Sequence, residues 1–193
     1  MISILMPIYN GIEYIEQSVS SIKNQSYTNW ELVIGINGHP KDSDIFKTAK
    51  SYENEKIKVY DIIDVKGKSM ALNKMLNYCN YDWISLLDVD DEWLQNKLEK
   101  QVPYMNGYDV IGTKCRYFGD MNHEASIPVN DISLFNFLNV NPIINSSCLL
   151  KKELCYWDEQ STVEDYDLWL RLWKDKKKFF NVNEILVKHR IHN

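Results

Sequence analysis

The sequence lacks several features that mark whole classes of proteins. Its four cysteines form no C-x-x-C pair and no zinc-like spacing, which argues against a zinc site and predicts reduced, structural thiols at Cys79, Cys115, Cys148 and Cys155. A net charge of −5 argues against nucleic acid as a partner, because such binders usually carry a basic face. Nucleotide ligands stay open, since a bound cation can reverse the local field.

Long apolar segments are also missing. The N-terminus, Met1–Pro7, has neither the basic region nor the long apolar region of a signal peptide. No apolar run approaches the roughly 20 residues that a membrane-spanning helix needs. We therefore expect a cytoplasmic protein without a transmembrane segment, free in solution or at the membrane surface.

Three catalytic motifs are absent or incomplete. No nucleophile-elbow G-x-S-x-G occurs in the chain. Gly67–Ser69 resembles the end of a phosphate-binding P-loop, but Ile62 occupies the position where that loop needs its first glycine. Asp88–Asp90 resembles the nucleophile motif of an aspartyl phosphatase, but Glu92 stands where that motif has Thr or Val. We therefore do not favour these classes.

What the chain does have is a regular alternation of apolar strands and amphipathic helices. Its 193 residues, 45% hydrophobic and 25% charged, suffice for one domain with a sizeable core. Apolar residues three and four positions apart predict a helix at Ile12–Lys23. The other elements predicted in the first half are strands at Ser3–Ile8, Glu31–Ile36, Ile57–Ile63 and Trp83–Leu87, and helices at Asp42–Tyr52 and Lys68–Tyr78.

This alternation predicts a doubly wound α/β fold, with a mainly parallel central sheet flanked by helices. The second half is less regular. It is predicted to contain strands at Val110–Phe118, Ile143–Leu150 and Ile185–His189, and helices at Asp131–Leu138 and Glu164–Trp173.

The most informative segment is the apolar run Ile84–Leu87, which leads directly into Asp88, Asp90 and Asp91. Carboxylates crowded at the tip of a buried strand repel one another unless a cation lies among them. Oxygen ligands suit Mg²⁺ or Mn²⁺, which keep coordination positions for phosphate oxygens. The segment therefore predicts a metal site that receives a diphosphate. The alternative is an acidic turn in which Asp90 or Asp91 caps the next helix.

Polar residues also follow the first two predicted strands. Ligands of doubly wound sheets bind beyond the carboxyl ends of the strands. Asn10, Asn37 and Asp88 follow the first, second and fourth predicted strands, respectively. We expect these three side chains to converge on one crevice.

Five short motifs occur in a characteristic order. They are Pro7-Ile8-Tyr9-Asn10, Gly67-x-x-x-Ala71-x-Asn73, Leu87-Asp88-Val89-Asp90-Asp91, the helical Glu164–Leu172, and the terminal His189-Arg190-Ile191-His192. Together they closely resemble family-2 glycosyltransferases, the inverting nucleotide-sugar enzymes of the Rossmann-like GT-A fold. The resemblance covers nearly the whole chain.

The resemblance implies a site for a nucleoside diphosphate sugar. Residues 1–100 would bind the nucleotide, and 101–193 would carry the acceptor and catalytic groups of a single domain, 1–193. Asp88 and Asp90 match the D-x-D motif that holds the ribose and the metal. The implied nucleotide-binding residues are Pro7, Tyr9, Asn10, Asn37, Lys68, Asn73, Asp88 and Asp90.

The resemblance also implies the catalytic groups. A Mn²⁺ or Mg²⁺ ion would be bound by Asp90, Asp91 and His192. Asp165 matches the general base, which takes the proton of the acceptor hydroxyl and gives inversion. The alternatives are that Asp165 only opens its helix and that His192 is a frayed terminal residue.

Two departures from the family pattern affect these expectations. Asn37 stands where the family usually has Asp. Its amide oxygen can still accept a hydrogen bond from a uracil imide but does not require one. The resemblance implies a UDP-sugar as the donor and a hydroxyl acceptor such as a glycan. The chain also stops close to His192, where many members continue, so it is either a catalytic module of a longer protein or a minimal enzyme.

Two other classes are compatible with the same acidic motif. A sugar nucleotidyltransferase would use a similar carboxylate site, but it needs a glycine-rich basic loop after the first strand, and Tyr9–Glu13 is poor in both. A catalytically inactive nucleotide-sugar-binding module would lose Asp165, which is present here.

Overall fold

The computed structural model describes residues 1–192, which form an α/β fold on one large sheet. The strands are β1 Ile2–Ile8, β2 Trp30–Asn37, β3 Ile57–Ile62, β4 Trp83–Leu86, β5 Glu92–Trp93, β6 Val110–Gly119, β7 Asn130–Asp131, β8 Leu149–Lys151 and β9 Phe179–Ile191. The α-helices are α1 Ile15–Lys23, α2 Asp44–Lys50, α3 Lys68–Met75, α4 Lys97–Gln101 and α5 Glu164–Lys174.

The first half of the sheet is parallel, as the alternating pattern predicts. The described strands are ordered β3-β2-β1-β4-β8-β6-β9-β5, and β7 pairs with β9. Strands β3, β2, β1 and β4 are all parallel, with Leu5 beside Val33 on one side and Leu86 on the other. Their carboxyl ends therefore lie along one edge, where the predicted crevice was expected.

The second half makes the sheet mixed. Strand β8 is antiparallel to both β4 and β6, whereas β9 runs parallel to β6. Near its end β9 also pairs with β5, where Lys188 lies opposite Glu92. This pairing brings the C-terminal residues of the chain beside the acidic segment that follows β4.

Apolar side chains cover both faces of the sheet. Alternate residues of β1 point to opposite faces: Ile4 packs in the cluster with α1, and Leu5 in the cluster with α3 and α5. Trp169 of α5 is fully buried. All four cysteines are free and buried, which confirms their structural reading. Within residues 1–192, no helix is long and apolar enough to cross a membrane.

Helix α3 lies unusually close to the sheet. A Cβ atom at Gly35 of β2 would be only 2.6 Å from the sulfur of Met75 and 2.8 Å from Ile62. The missing side chain of Gly35 therefore lets α3 pack closely on β2. This contact sets the distance between α3 and the sheet, and the first residue of α3, Lys68, faces the crevice.

Two predicted elements of the second half are wrong. Asp131–Leu138 is not a helix: β7 ends at Asp131, and a 3₁₀ turn follows at Phe137–Asn139. Ile143–Leu150 is not one strand, because Asn145–Ser147 forms a 3₁₀ turn before β8. In both segments tertiary contacts override the secondary structure that the local sequence pattern favours. The turn at Asn145–Ser147 directs Asn145 and Ser146 towards Asp88.

The final strand is longer than predicted, and α4 was not anticipated. Periodicity indicated a strand only over Ile185–His189, whereas β9 begins at Phe179. Helix α4 is short and begins after Asn96, so neither Asp90 nor Asp91 caps it. Its Lys97 is fully buried, which a sequence pattern does not reveal for a charged residue.

Among the residues that the structure describes, no carboxylate pairs with the buried Lys97. Its ammonium donates a 2.9 Å hydrogen bond to Ser85 Oγ and lies 3.7 Å from the ring centre of Trp93. Because burial disfavours the charged form, it lowers the pKa of Lys97 from 10.5 to about 7. The unfolded chain therefore binds more protons than the folded protein between about pH 7 and pH 10.4.

We expect Lys97→Met to change the pH dependence of stability. The unfolding free energy of the wild type should rise as pH increases from 7 towards 10, and this rise should be absent from Lys97→Met. At pH 6, where Lys97 carries a charge, the variant should be more stable by on the order of 2 kcal/mol. Urea unfolding followed by circular dichroism at several pH values measures both effects.

Lys100→Met is the matched control, because Lys100 lies on the same helix but is exposed and paired with Glu184. Its stability curve should run parallel to that of the wild type. A parallel curve for Lys97→Met would contradict the buried-charge interpretation.

Candidate active site

A cavity of about 880 Å³ lies beyond the carboxyl ends of β1, β2 and β4. It is where the sequence pattern predicted a crevice, and Asn10, Asn37 and Asp88 all face it. Its lining residues are Pro7, Tyr9, Asn10, Gly11, Glu13, Tyr14, Asn37, Gly38, Lys66, Gly67, Lys68, Asp88, Val89, Asp90 and His192. Eight of the predicted site residues are among them: Pro7, Tyr9, Asn10, Asn37, Lys68, Asp88, Asp90 and His192.

Asp88 follows β4 and is held by three partners from two segments, α3 and the 3₁₀ turn at Asn145–Ser147. Its Oδ1 lies 2.7 Å from the ammonium of Lys68, and its Oδ2 accepts a 3.2 Å hydrogen bond from the amide of Asn145. Its backbone N–H donates to Ser146 Oγ. Burial by itself would raise the pKa of Asp88, but the Lys68 ammonium and the Asn145 amide hold it below its usual value.

Asp90 faces the C-terminal end of β9. Its Oδ2 lies 2.8 Å from Nε2 of His192, and its backbone carbonyl accepts a hydrogen bond from Arg190 Nε. The Arg190 guanidinium is 4.3 Å from the ring centres of both Tyr14 and Phe118. This double cation–π contact fixes Arg190, two residues before His192, beside Asp90.

Asp91 points away from the cavity and is fully buried. Its Oδ2 contacts Nδ1 of His189 at 2.8 Å, and its Oδ1 accepts the backbone N–H of Arg190 at 2.7 Å. Burial raises the pKa of Asp91 above its usual value. Burial alone would lower the pKa of His189, but the adjacent Asp91 carboxylate raises it. Asp91 therefore links the acidic turn to β9, and its position gives no access to the cavity for the predicted metal-ligand role.

Asn73 also lies outside the cavity lining. Its side-chain amide donates to the carbonyl of Trp157 at 2.8 Å, and its oxygen accepts the N–H of the same residue at 3.0 Å. This pair of bonds ties α3 to the segment before α5. The structure therefore gives Asn73 a structural contact in place of the predicted position near the base and ribose.

Asp165 lies in the first turn of α5, beside the cavity and not in its lining. Its Oδ2 accepts from the amide of Asn141 at 3.1 Å, and its Oδ1 accepts the backbone N–H of Tyr166. The preceding Glu164 lies 3.5 Å from Lys68, which connects this helix to Asp88. Burial raises the pKa of Asp165 above its usual value, against the lowering effect of the Tyr166 N–H and Asn141.

Several residues at the site were not predicted from sequence. Lys66, Glu13 and Tyr14 line the cavity, while Asn141 and Asn145 orient Asp165 and Asp88. Lys66 lies two residues before Lys68, at which a helix was predicted to begin. Its position in the sequence could therefore have indicated that it lines the cavity. The two asparagines lie in and beside a segment whose turn depends on tertiary contacts, and no local pattern marks them.

The donor atoms at this site fit a divalent cation that completes its coordination with phosphate oxygens. Asp90 Oδ2 and His192 Nε2 lie 2.8 Å apart, and both residues line the cavity. Within residues 1–192, no group of three or more His, Cys, Asp or Glu side chains is arranged to hold a metal alone. A Mn²⁺ or Mg²⁺ ion here would therefore need ligands from a bound substrate, as such ions commonly do.

Comparison with known proteins points to one family. Residues 3–161 match the model of "Glycosyl transferase family 2". The chain is 32% identical to the O-antigen biosynthesis glycosyltransferase WbnJ of Escherichia coli, over 100% of this chain and 80% of WbnJ. It is 29% identical to the UDP-Glc:alpha-D-GlcNAc-diphosphoundecaprenol beta-1,3-glucosyltransferase WfgD of Escherichia coli, over 99% of this chain and 77% of WfgD.

The fold comparison agrees. S. aureus TarS 1–349 in complex with UDP-GlcNAc superposes with a TM-score of 0.77 at 16% identity, over 100% of this chain and 59% of that chain. The family match ends before Asp165, so the D-x-D residues and every cavity-lining residue except His192 lie inside it, whereas the helix α5 residues lie outside it. Since the match spans most of the chain and includes the whole cavity floor from Pro7 to Asp90, the chain belongs to glycosyl transferase family 2 and has the GT-A fold.

Proposed function

We propose that this glycosyltransferase moves a sugar from a UDP-sugar to a hydroxyl acceptor with inversion, with a divalent cation at Asp90 and His192 and with Asp165 as the general base. One observation carries the proposal. The carboxylates of Asp88 and Asp90 face one cavity, and Lys68 connects Asp88 through Glu164 to the helix that carries Asp165. This connection supports a proposal in which the donor-binding Asp88 and the proton-accepting Asp165 act at one site.

The end of the cavity formed by β1 and β2 suits the nucleoside. Pro7 and Tyr9 supply apolar surface, and Asn37 is 2% exposed while still lining the cavity. A buried amide directed at a ligand needs a hydrogen-bond partner, and a uracil imide provides a matching donor. Two similar proteins support a uridine donor here: WfgD is named as an enzyme that uses UDP-Glc, and TarS 1–349 was solved in complex with UDP-GlcNAc.

The acidic end of the cavity suits the diphosphate. Lys68 keeps its positive charge, because the Asp88 and Glu164 carboxylates raise its pKa despite burial. Lys66 also lines the cavity and adds a second cation. A divalent cation bound by Asp90 and His192 would neutralise charge that develops on the leaving diphosphate. Lys66 and Lys68 would then hold the phosphate oxygens, and Asp88 would accept from a ribose hydroxyl.

Asp165 has the properties of a general base for the acceptor hydroxyl. The Asn141 amide and the Tyr166 N–H each bind one of its carboxylate oxygens, so its orientation is fixed. Burial raises its pKa, which makes the carboxylate a stronger proton acceptor than an exposed Asp. Glu164 is engaged with Lys68 and is less suited to that role. Attack from the side opposite to the diphosphate gives an inverted anomer.

The cation dependence can be tested with Asp90→Ala. Binding of uridine diphosphate to the wild type, measured by calorimetry, should require Mn²⁺ or Mg²⁺. The variant should lose this requirement and bind about tenfold or more weakly, while remaining folded because Asp90 is at a strand tip. Asp44→Ala, which removes an exposed carboxylate on α2, should behave as the wild type. Metal-independent binding that is the same in Asp90→Ala would contradict the cation site.

The nucleoside can be tested by competition among uridine, guanosine, cytidine and thymidine diphosphates. We expect the uridine form to bind tightest, and Asn37→Leu to remove its advantage by leaving the imide unpaired. A guanosine or thymidine diphosphate that binds at least about tenfold tighter, a gap of about 1.4 kcal/mol, would rule out uridine.

The general base can be tested with Asp165→Asn. This change keeps the size of the side chain but removes the basic carboxylate, so transfer should fall by roughly two to four orders of magnitude while donor affinity stays the same. In the wild type, the rate should fall with decreasing pH at a higher pH than an ordinary Asp would give, because the pKa of Asp165 is raised. NMR of the product should show an inverted anomer.

Asp167→Asn is the matched control, because Asp167 lies on the same helix turn and pairs with Arg171. It should transfer sugar at close to the wild-type rate. A near wild-type rate in Asp165→Asn, or a retained anomer, would show that Asp165 is not the base.

A further inference from the structure

The segment between β7 and β8 exposes large apolar side chains. We call residues 134–140 the apolar loop. Leu134 is 100% exposed and Leu138 61% exposed, and two further apolar residues are also open to solvent; the four are Leu134, Phe135, Leu138 and Val140. Single exposed apolar residues are common on protein surfaces, but a contiguous set marks an interaction surface.

The apolar loop is held in place from beneath. The hydroxyl of Ser133 donates a 3.3 Å hydrogen bond to the backbone carbonyl of Phe179 and accepts a 3.0 Å hydrogen bond from the backbone N–H of the same residue. Phe137 is buried and stacks on Trp173 with ring centres 5.6 Å apart, and its carbonyl accepts from the hydroxyl of Tyr166. Leu134 and Leu138 are therefore presented outwards on a fixed support.

A basic turn adjoins the apolar loop. The same Trp173 and Phe179 that support the loop flank the run of Lys174, Lys176, Lys177 and Lys178. Three carboxylates lie in this region: Asp175 within the run, and Asp109 and Asp131, which interact with Lys177 and Lys178 respectively. Lys174 and Lys176 are exposed, so the turn is locally positive on a chain whose net charge is −5.

We propose that the apolar loop and the basic turn together dock the protein on the surface of an anionic phospholipid bilayer. Exposed leucines beside lysines are the combination that inserts at the interface and attracts anionic lipid headgroups. The negative charge of the whole chain opposes nonspecific attraction to such a membrane, so binding requires this local surface.

The docking surface is continuous with the site. Val140 directly precedes Asn141, which binds the carboxylate of Asp165. Docking would therefore turn the acceptor side of the cavity towards the bilayer, where a membrane-anchored hydroxyl acceptor would be presented. Only this last consequence rests on the proposed function; membrane binding itself does not.

Vesicle flotation tests the proposal directly. Vesicles of phosphatidylcholine alone are compared with equal mixtures of phosphatidylcholine and phosphatidylglycerol, at low and high NaCl. Leu134→Ser with Leu138→Ser removes the apolar component, and Lys174→Gln with Lys176→Gln removes the charge. The matched controls are Met121→Ser with Ile63→Ser, two exposed apolar residues elsewhere, and Lys41→Gln with Lys47→Gln.

The wild type should bind the mixed vesicles at least about fivefold more than phosphatidylcholine, and each docking-surface pair should lower that binding by at least about fivefold. High salt should weaken binding, and the control pairs should leave it unchanged. Asp165→Asn should float as the wild type does, which separates this test from that of the catalytic role.

Two results would overturn the proposal. One is binding that is absent, or that does not distinguish the two lipid mixtures. The other is self-association in sedimentation equilibrium that the leucine pair abolishes without any vesicle binding, which would make the surface an interface between two copies of the chain.

Discussion

The site depends on compensating three carboxylates that the chain places within four residues at the tip of a buried strand. Each has a different partner: Lys68 for Asp88, His192 for Asp90 and His189 for Asp91. Like charges at this density are unfavourable in a partly desolvated setting unless cations or hydrogen-bond donors face them. The partners come from α3, from β9 and from the residue that follows β9, so the acidic turn is stable only in the assembled fold.

The path of β9 follows from the same requirement. This strand runs parallel to β6 and ends beside β5, which delivers His189, Arg190 and His192 to the acidic turn from almost 100 residues away in the chain. The Arg190 guanidinium, held between Tyr14 and Phe118, fixes this end of the strand. One carboxylate, Asp91, thus serves the structure, while Asp88 and Asp90 stay directed into the cavity.

The helix α5 is tied to the sheet by its apolar face and to the cavity by its polar start. Trp169 and Leu168 are buried, and the Glu164–Lys68 contact joins the first turn of α5 to α3. Because Lys68 joins Asp88 to the first turn of α5, the separation between Asp88 and Asp165, the proposed base, is set by packing. Rigid support of this kind is what a reaction needs when the acceptor must approach in line with the leaving group.

Local patterns in the sequence were enough to predict the parallel half of the sheet, the family and most of the polar residues that line the cavity. Apolar periodicity and turn chemistry are local, so β1 to β4 and α5 could be predicted, and Asp88, Asp90 and Asn37 could be placed at strand ends. Which polar groups meet depends on the folded arrangement of the chain. It separated Asp91 and Asn73 from the cavity, formed the turn that aims Asn145 at Asp88, and buried Lys97, because each of these depends on contacts between segments distant in the chain.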